Sequence, residues 1–174
     1  QLAAQVAAVC LPHDYLSWRL SEHYPKIEKL FTDRSDASGT GYFNPATNRY
    51  VPEILEYCLG HQPILPQVLG PDQSVADVRS DLSSHPVKIG AGMGDNAAAA
   101  RGLDLEPGMF AVSIGTSGTV FGSSKQGSAD VSGTIAGFAD GAGQYLPLVC
   151  TLNAARVIEW GAQLLGVSLD EFST

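Results

Sequence analysis

The segment from Val87 to Gly102 constrains the fold of this chain more than any other. It reads Val-Lys-Ile-Gly-Ala-Gly-Met-Gly-Asp-Asn-Ala-Ala-Ala-Ala-Arg-Gly. The apolar start predicts a buried strand that includes Ile89, and the closely spaced glycines predict a tight turn. The alanines predict a helix that starts near Asp95, because alanine is the best helix former, and glycine suits its end. The sequence therefore places Asp95 at a helix N-terminus, directly after a strand.

Asp95 is the first candidate for chemistry. A helix N-terminus favours an anionic side chain through its free N–H groups and its dipole. A carboxylate presented at such a turn can accept a proton from a substrate hydroxyl, and we expect it to face an open cleft. The alternative is that Asp95 only caps the helix.

The same turn also suggests a dinucleotide-binding motif, since Gly90 and Gly92 follow a strand and precede a helix. The third glycine of that motif falls on Asp95, however, and a carboxylate there would repel a pyrophosphate. The strand about twenty residues later, 110–114, has no acidic residue for a ribose. This alternative is disfavoured.

The second candidate is the loop Gly115-Thr116-Ser117-Gly118-Thr119. It lies between two predicted strands, 109–113 and 120–121, and the arrangement indicates a hairpin. Its glycines allow successive N–H groups to converge and its hydroxyls add donors, which suits a phosphate. By composition alone the loop is equally a plain hairpin turn. It is not a Walker A loop, because no lysine follows the glycine.

The remaining elements follow from proline, glycine and apolar spacing. Residues 52–60 predict a helix with proline in its first turn and Gly60 near its end. Strands are predicted over 134–138 and 145–149, and Asp140 between them is interpreted as closing a hairpin. Apolar residues at three- and four-residue steps after Asn153 predict a final helix.

Several polar and aromatic residues are assigned structural roles. Asp33 and Asp36 lie in a segment rich in hydroxyls and glycine, which favours a network of turns over a Mg²⁺ site. The four histidines are scattered and are interpreted as surface or capping residues rather than metal ligands, and no metal-ligating residue is assigned. Both tryptophans, Trp18 and Trp160, are expected in the core.

Composition excludes several classes of function. A formal net charge of -8 disfavours a nucleic-acid partner. No apolar run approaches the ~20 residues of a membrane span. Three cysteines without a CxxC pair argue against a disulfide framework or a zinc site and are expected to be reduced core thiols of a cytoplasmic protein. The chain has no initial methionine and begins inside a helix-like pattern, so we interpret it as part of a longer chain.

Five segments, in order, resemble the FGGY family of carbohydrate kinases, and within it the xylulokinases. The segments are LPHDYLSWRL at 11–20, TDRSDASGTGY at 32–42, GAGMGDNAA at 90–98, SIGTSGTV at 113–120 and PLVCTLNAAR at 147–156. The resemblance implies an α/β architecture, the actin-like, ribonuclease-H-like ATPase fold. It implies that residues 1–104 are the C-terminal part of the sugar-binding N-terminal domain. Residues 105–174 are then the first part of the nucleotide-binding C-terminal domain.

The resemblance also implies a function. Asp95 matches the family's catalytic base, and with Asn96 it is expected to contact the sugar. Nucleotide binding is expected from the phosphate loop and one residue after it: Gly115, Thr116, Ser117, Gly118 and Asn153. The implied reaction uses ATP and Mg²⁺ to convert a ketopentose, D-xylulose, to D-xylulose 5-phosphate. Alternatives are a kinase of ribulose, gluconate or glycerol, or a non-catalytic sugar or nucleotide sensor, and a homodimer is compatible with the sequence.

Two parts of the family's site have no match in these residues. They are the Asp-x-Gly-Thr phosphate loop and the late glycine-rich segment that binds adenosine. We therefore expect residues 1–174 by themselves to be inactive, although they carry the base and one phosphate loop.

Overall fold

A computed structural model describes residues 2–173 as a mixture of short helices and strands. The helices are α1 Pro12–Leu20, α2 Arg34–Ser38, α3 Pro52–Leu59, α4 Asp95–Gly102, α5 Ala155–Leu165 and α6 Leu169–Phe172. The strands are β1 Phe31–Asp33, β2 Phe43–Asn44, β3 Arg49–Tyr50, β4 Gln67–Leu69, β5 Ser74–Asp77, β6 Lys88–Gly90, β7 Phe110–Ile114, β8 Gly118–Gly122, β9 Ala136–Ala139 and β10 Tyr145–Thr151. Single 3₁₀ turns lie at Ala3–Gln5 and Ile27–Lys29.

The first hundred residues form three small two-stranded sheets. Strands β1 and β4 pair in parallel, whereas β2 pairs with β3 and β5 with β6 in antiparallel fashion. A compact apolar cluster of Phe31, Leu69 and Ala91 joins β1 and β4 to the segment after β6. This cluster supports the glycine turn from its apolar side.

The later residues form one four-stranded antiparallel sheet in the order β7-β8-β10-β9. The first two strands are a hairpin in which Ile114 pairs with Gly118, so residues 115–117 make the connecting loop. The predicted hairpin is confirmed. On β7 the alternate side chains of Phe110, Val112 and Ile114 are exposed, because no described residue covers that face of the strand.

Helix α4 packs on this sheet. Its buried residues Ala97 and Ala100 share one apolar cluster with Phe121, Leu146 and Leu148. Alanine has little side-chain volume, so the helix axis can approach the sheet closely. The helix that begins at Asp95 therefore joins the early segments to the later sheet.

A second joint is made by α2. The backbone N–H of Ala139, on β9, donates to Ser38 Oγ at 3.0 Å, and Arg34 donates to the Gln144 carbonyl at 3.4 Å. Ala139 is fully buried. Helix α2 is therefore hydrogen-bonded to the four-stranded sheet, and it also contacts the glycine turn before Asp95.

The structure confirms one local element predicted from the sequence and contradicts another. The helix predicted over 52–60 is confirmed, with Pro52 at its start and Gly60 in the left-handed conformation that ends it. The buried strand before Asp95 is wrong: β6 has three residues, only Ile89 is partly buried, and β5 is its one partner strand. The short edge position explains the exposure, because one face and one side of the strand have no neighbours within residues 2–173.

Two further corrections concern residue burial. Trp18 is buried as expected, but Trp160 is 62% exposed on α5, because that face of the helix has no partner among the described residues. The cysteines are free, as expected, yet Cys58 and Cys150 are exposed rather than core thiols. Within residues 2–173, the helices are all too short or too polar to cross a membrane.

Candidate active site

Asp95 is the first residue of α4, and the N-cap position belongs to Gly94. The carboxylate is exposed, and its Oδ1 accepts from the Asn96 N–H at 2.7 Å and from the Asn96 side-chain amide at 3.2 Å. Asp95 and Asn96 line a cavity of about 40 Å³ with Phe138 and Ala139 of β9. The carboxylate is therefore presented at the helix start without serving as its cap.

The turn before Asp95 contains two glycines in close contact with side chains. Gly92 has φ +79°, the left-handed region that favours glycine, and a Cβ there would overlap the His13 imidazole. A Cβ on Gly94 would lie 2.7 Å from Asp36 Oδ1. The turn is thus packed directly against side chains of α1 and α2.

His13 and Asp36 form a close pair beside this turn. The distance from His13 Nδ1 to Asp36 Oδ2 is 2.6 Å, and both side chains are partly buried. The hydrogen bond to Asp36 raises the pKa of His13 above its usual value, and burial opposes this effect. The pair is therefore charge-assisted when the imidazole is protonated.

Asp33 and Ser35 complete the contact with the turn. Asp33 is the N-cap of α2 and accepts from the Asp36 N–H at 3.0 Å. Its Oδ2 also accepts from Ser35 Oγ at 2.6 Å, and Ser35 Oγ in turn accepts from the Gly94 N–H at 2.8 Å. Burial raises the pKa of Asp33, although the Ser35 hydrogen bond opposes it. The turn network expected for Asp33 and Asp36 is confirmed.

Asp14 lies next to this pair and is 2% exposed. Its Oδ2 accepts from the Leu11 N–H at 2.8 Å, while Oδ1 has no hydrogen-bond partner among the described residues. Burial raises the pKa of Asp14. Ligand-type atoms of His13, Asp14 and Asp36 lie within 4.8 Å of one another. The His13–Asp36 hydrogen bond already occupies two of these three groups.

The loop at 115–118 presents free donors. Thr116 and Ser117 are exposed, and within residues 2–173 neither their N–H groups nor their hydroxyls make a hydrogen bond. Gly118 is closely packed, because a Cβ there would lie 3.0 Å from Thr151 Oγ1. The loop thus has the donor set of an anion site and no charged side chain.

The segment that leads into α5 packs against this loop. The N–H of Ala154 donates to the Thr116 carbonyl at 3.1 Å, and the N–H of Ala155 donates to the Gly115 carbonyl at 2.9 Å. Asn153 is exposed directly before them. Asn153 is therefore adjacent in sequence to the residues that bond the loop.

The predicted residues form two groups. Asp95 and Asn96 lie together beside α2 and β9, and Asn153 lies with the loop at 115–118. No hydrogen bond within residues 2–173 joins the two groups. The residues that sequence reasoning missed are His13 and Ser35, which touch the turn only through the tertiary fold. Their one available signal was their presence within the segments that resemble the family.

The chain is similar to a known protein family and to known enzymes. Residues 1–102 match the N-terminal domain of the FGGY family of carbohydrate kinases. The chain is 44% identical over 170 residues to the xylulose kinase of Streptomyces coelicolor, covering 96% of this chain and 34% of that protein. It is also 44% identical over 163 residues to the xylulose kinase of Streptomyces rubiginosus, with 92% and 33% covered. The chain spans about a third of the length of these relatives.

Solved structures of kinases have a fold similar to that of this chain. The crystal structure of xylulose kinase from Bifidobacterium adolescentis has a TM-score of 0.85 and 38% identity, covering 95% of this chain and 37% of that one. A second kinase structure, from Brucella ovis, has a TM-score of 0.84 and 26% identity, with 97% and 35% covered. The expected α/β fold, that of the actin-like sugar kinases, is confirmed by these likenesses.

Proposed function

Because the chain belongs to the FGGY family of carbohydrate kinases, we propose that the native polypeptide carrying it transfers the γ-phosphoryl group of ATP to a ketopentose. The proposed substrate is D-xylulose and the product D-xylulose 5-phosphate. Support for this sugar comes from the relatives at 44% identity, which are xylulose kinases. The observation that carries the chemistry is the exposed carboxylate of Asp95 at the start of α4.

Asp95 acts as the general base in this proposal. Its carboxylate accepts the proton of the sugar hydroxyl while the hydroxyl oxygen bonds to the γ-phosphorus and the bond from that phosphorus to ADP breaks. Such transfer depends mainly on positioning and on charge stabilisation, with a carboxylate to take the proton. Asn96, beside Asp95 at the same cavity, contacts the sugar through its amide.

The loop at 115–118 binds the phosphates of ATP. Its free N–H groups and hydroxyls supply donors to anionic oxygens, and Asn153 borders the same loop. The lack of a charged side chain in the loop fits a nucleotide whose charge is partly neutralised before it binds. Mg²⁺ supplies that neutralisation when bound, and it typically keeps several waters and binds substrate phosphates rather than a dedicated protein cage.

We assign residues 1–104 to the sugar-binding domain and residues 105–174 to the nucleotide-binding domain. The family match over 1–102 and the start of the four-stranded sheet at Phe110 support this division. Helix α4 belongs to the first part by sequence, but its alanines pack on the sheet of the second. This packing supports a role for Asp95 between a sugar and a nucleotide held by different domains. The free cysteines fit a reducing cytoplasm as the site of this reaction.

A panel of sugars tests the substrate. The complete native polypeptide is assayed for ADP release with D-xylulose, ribulose, gluconate and glycerol at equal concentrations. The proposal expects D-xylulose to have the highest kcat/KM. A clear preference for another sugar would move the assignment within the family, and the absence of any sugar-dependent ADP release would refute kinase activity.

Asp95→Asn tests the base in the same polypeptide. The change keeps the size of the side chain and removes the proton acceptor, so we expect kcat to fall by about 100-fold or more. The control is Asp104→Asn, since Asp104 follows the same helix and is exposed. The control should keep wild-type kcat. Turnover of Asp95→Asn within a few-fold of wild type would show that Asp95 is not the base.

A further inference from the structure

Within residues 2–173, the carboxylate of Asp95 makes no hydrogen bond to a residue distant in sequence. Its hydrogen-bond partners among the described residues are the N–H and the side-chain amide of the next residue, Asn96. The position of the carboxylate therefore follows the backbone that precedes it. That backbone is the turn of residues 90–94.

His13 contacts this turn from α1. Its ring fills the space beside Gly92 that any Cβ would need, and a Cβ there would come within 2.6 Å of the ring carbon Cε1. The other edge of the ring is fixed, because Nδ1 lies 2.6 Å from Asp36 Oδ2. The imidazole is thus wedged between α2 and the turn.

Asp36 and Ser35 contact the next glycine from α2. Asp36 Oδ1 lies against Gly94, and Ser35 Oγ accepts from the Gly94 N–H at 2.8 Å. Gly94 is the N-cap of the helix that Asp95 begins. Contacts from two helices therefore converge on the two glycines nearest Asp95.

We propose that His13, held by Asp36, is a positioning residue that fixes the turn of residues 90–94 and through it the carboxylate of Asp95. The catalytic part of this inference rests on the proposed function, in which Asp95 is the base. In this proposal His13 acts through the turn and not on the substrate. A shift of about 1 Å in a reacting group can lower a rate by about 100-fold, so a loosened turn has a large effect on catalysis.

The first test compares variants of the complete native polypeptide. His13→Ala removes the ring, whereas His13→Asn retains an amide donor near the Nδ1 position and loses the ring edge that faces Gly92. The inference expects kcat to fall by about 10-fold or more in His13→Ala and by less in His13→Asn. The KM for ATP should stay within about threefold, because the loop at 115–118 is untouched.

The control is His61→Ala. His61 is also partly buried and bonds to a distant backbone carbonyl, that of Val6, at 2.8 Å, but it makes no contact with the turn. The control should retain wild-type kcat. An equal loss of kcat in His61→Ala would show a general effect of removing partly buried imidazoles and would overturn the inference.

A double-mutant cycle separates positioning from general destabilisation. If His13 acts through Asp95, then His13→Ala should lower kcat no further in an Asp95→Asn background. An equal fold-loss in both backgrounds would overturn the inference, because the effect would then bypass the base.

Amide hydrogen exchange gives a readout independent of activity. His13→Ala should speed exchange of the Gly94 N–H, and His61→Ala should not. If the wild type releases no ADP with any sugar, the proposed function fails while the exchange result still decides whether His13 holds the turn. Unchanged exchange at Gly94 would overturn the inference, whatever the activity.

Discussion

At the scale of single residues, the imidazole of His13 lies near carboxylates from three segments of the chain. Asp36 lies on α2, Asp14 on α1 and Asp33 at the end of β1, and all three raise its pKa. The direct hydrogen bond to Asp36 contributes most. Protonation of His13 is thereby coupled to the stability of the fold around the glycine turn.

This coupling predicts a pH dependence of stability. In an unfolded chain the imidazole titrates near about pH 6.5, and in the folded chain its pKa is raised. The stabilisation is therefore fully present below the unfolded value and is lost as the pH rises through the folded pKa. We expect the free energy of unfolding of the wild type to decrease as the pH rises from about 6.5 through the raised folded pKa of His13.

Urea unfolding across this pH range checks the prediction. His13→Asn should show a smaller decrease, because its amide does not titrate, and His61→Asn should retain the wild-type slope. The pKa values of Asp14 and Asp33 are also raised, so these groups also lower the free energy of unfolding as the pH rises. Their effect begins at a lower pH than that of His13, and it is present in the wild type and in both variants. Equal slopes in the wild type and His13→Asn would contradict the assigned role of the pair.

Single residues also show which parts of the site could be predicted. The place of Asp95 at a helix start follows from local chemistry, since glycine and alanine act on the backbone beside them. The contact between His13 and Gly92 depends on how α1 packs, and no spacing in the sequence encodes it. The hydroxyls of Thr116 and Ser117 were identified by composition, whereas their freedom from hydrogen bonds required the structure.

At the scale of elements, α2 is a five-residue helix with contacts on two sides. Asp36 and Ser35 face the glycine turn, while Ser38 accepts from the Ala139 N–H on β9 at 3.0 Å. Helices this short have little stability of their own. The element is therefore held by its contacts with the sheet and with the turn.

Ser38→Ala tests this joint. Ser38 Oγ is the acceptor for a fully buried N–H, and an unsatisfied buried donor costs about 1–3 kcal/mol. We expect the free energy of unfolding to fall by that amount, measured with urea. Ser84→Ala is the control, since Ser84 is exposed and makes no hydrogen bond within residues 2–173, and it should have little effect. A loss no larger than that of the control would show that Ala139 finds another acceptor.

Element prediction succeeded where local signals decide and failed where neighbours decide. Helix α3 follows from Pro52 and Gly60, which act at its two ends. The prediction that β6 is buried was wrong. An apolar residue such as Ile89 indicates a preference for burial, but it does not indicate how many strands lie beside it. The joint through Ser38 could not be predicted, since it links residues far apart in the chain.

At the scale of the whole molecule, the described residues leave large apolar side chains exposed. Phe110, Val112 and Ile114 on β7 are each about two-thirds exposed, and Trp160 and Leu164 on α5 are similarly exposed. Soluble monomers seldom expose contiguous apolar surface of this kind beyond a few hundred Å². Residues of the two predicted domain parts, 1–104 and 105–174, pack together through α4 and α2.

The purified chain of 174 residues provides the test at this scale. It spans about a third of the related kinases and contains no Asp-x-Gly-Thr phosphate loop. Positioning of two substrates supplies much of the rate in such reactions. In the proposed function, these residues hold one phosphate loop and the base. We predict no D-xylulose-dependent ADP release above the level of the Asp95→Asn chain. Measurable turnover that Asp95→Asn abolishes would show that these residues form a complete site.

The packing of the His13 ring on Gly92 has a consequence for how such sequences can diverge. A side chain at position 92 would enter the space of the imidazole and would also strain a backbone with φ +79°. Replacement at 92 while histidine remains at 13 therefore meets both penalties at once, whereas prior loss of the ring removes one of them. Mutational paths through this pair should consequently depend on order, and changes at position 13 should precede changes at position 92.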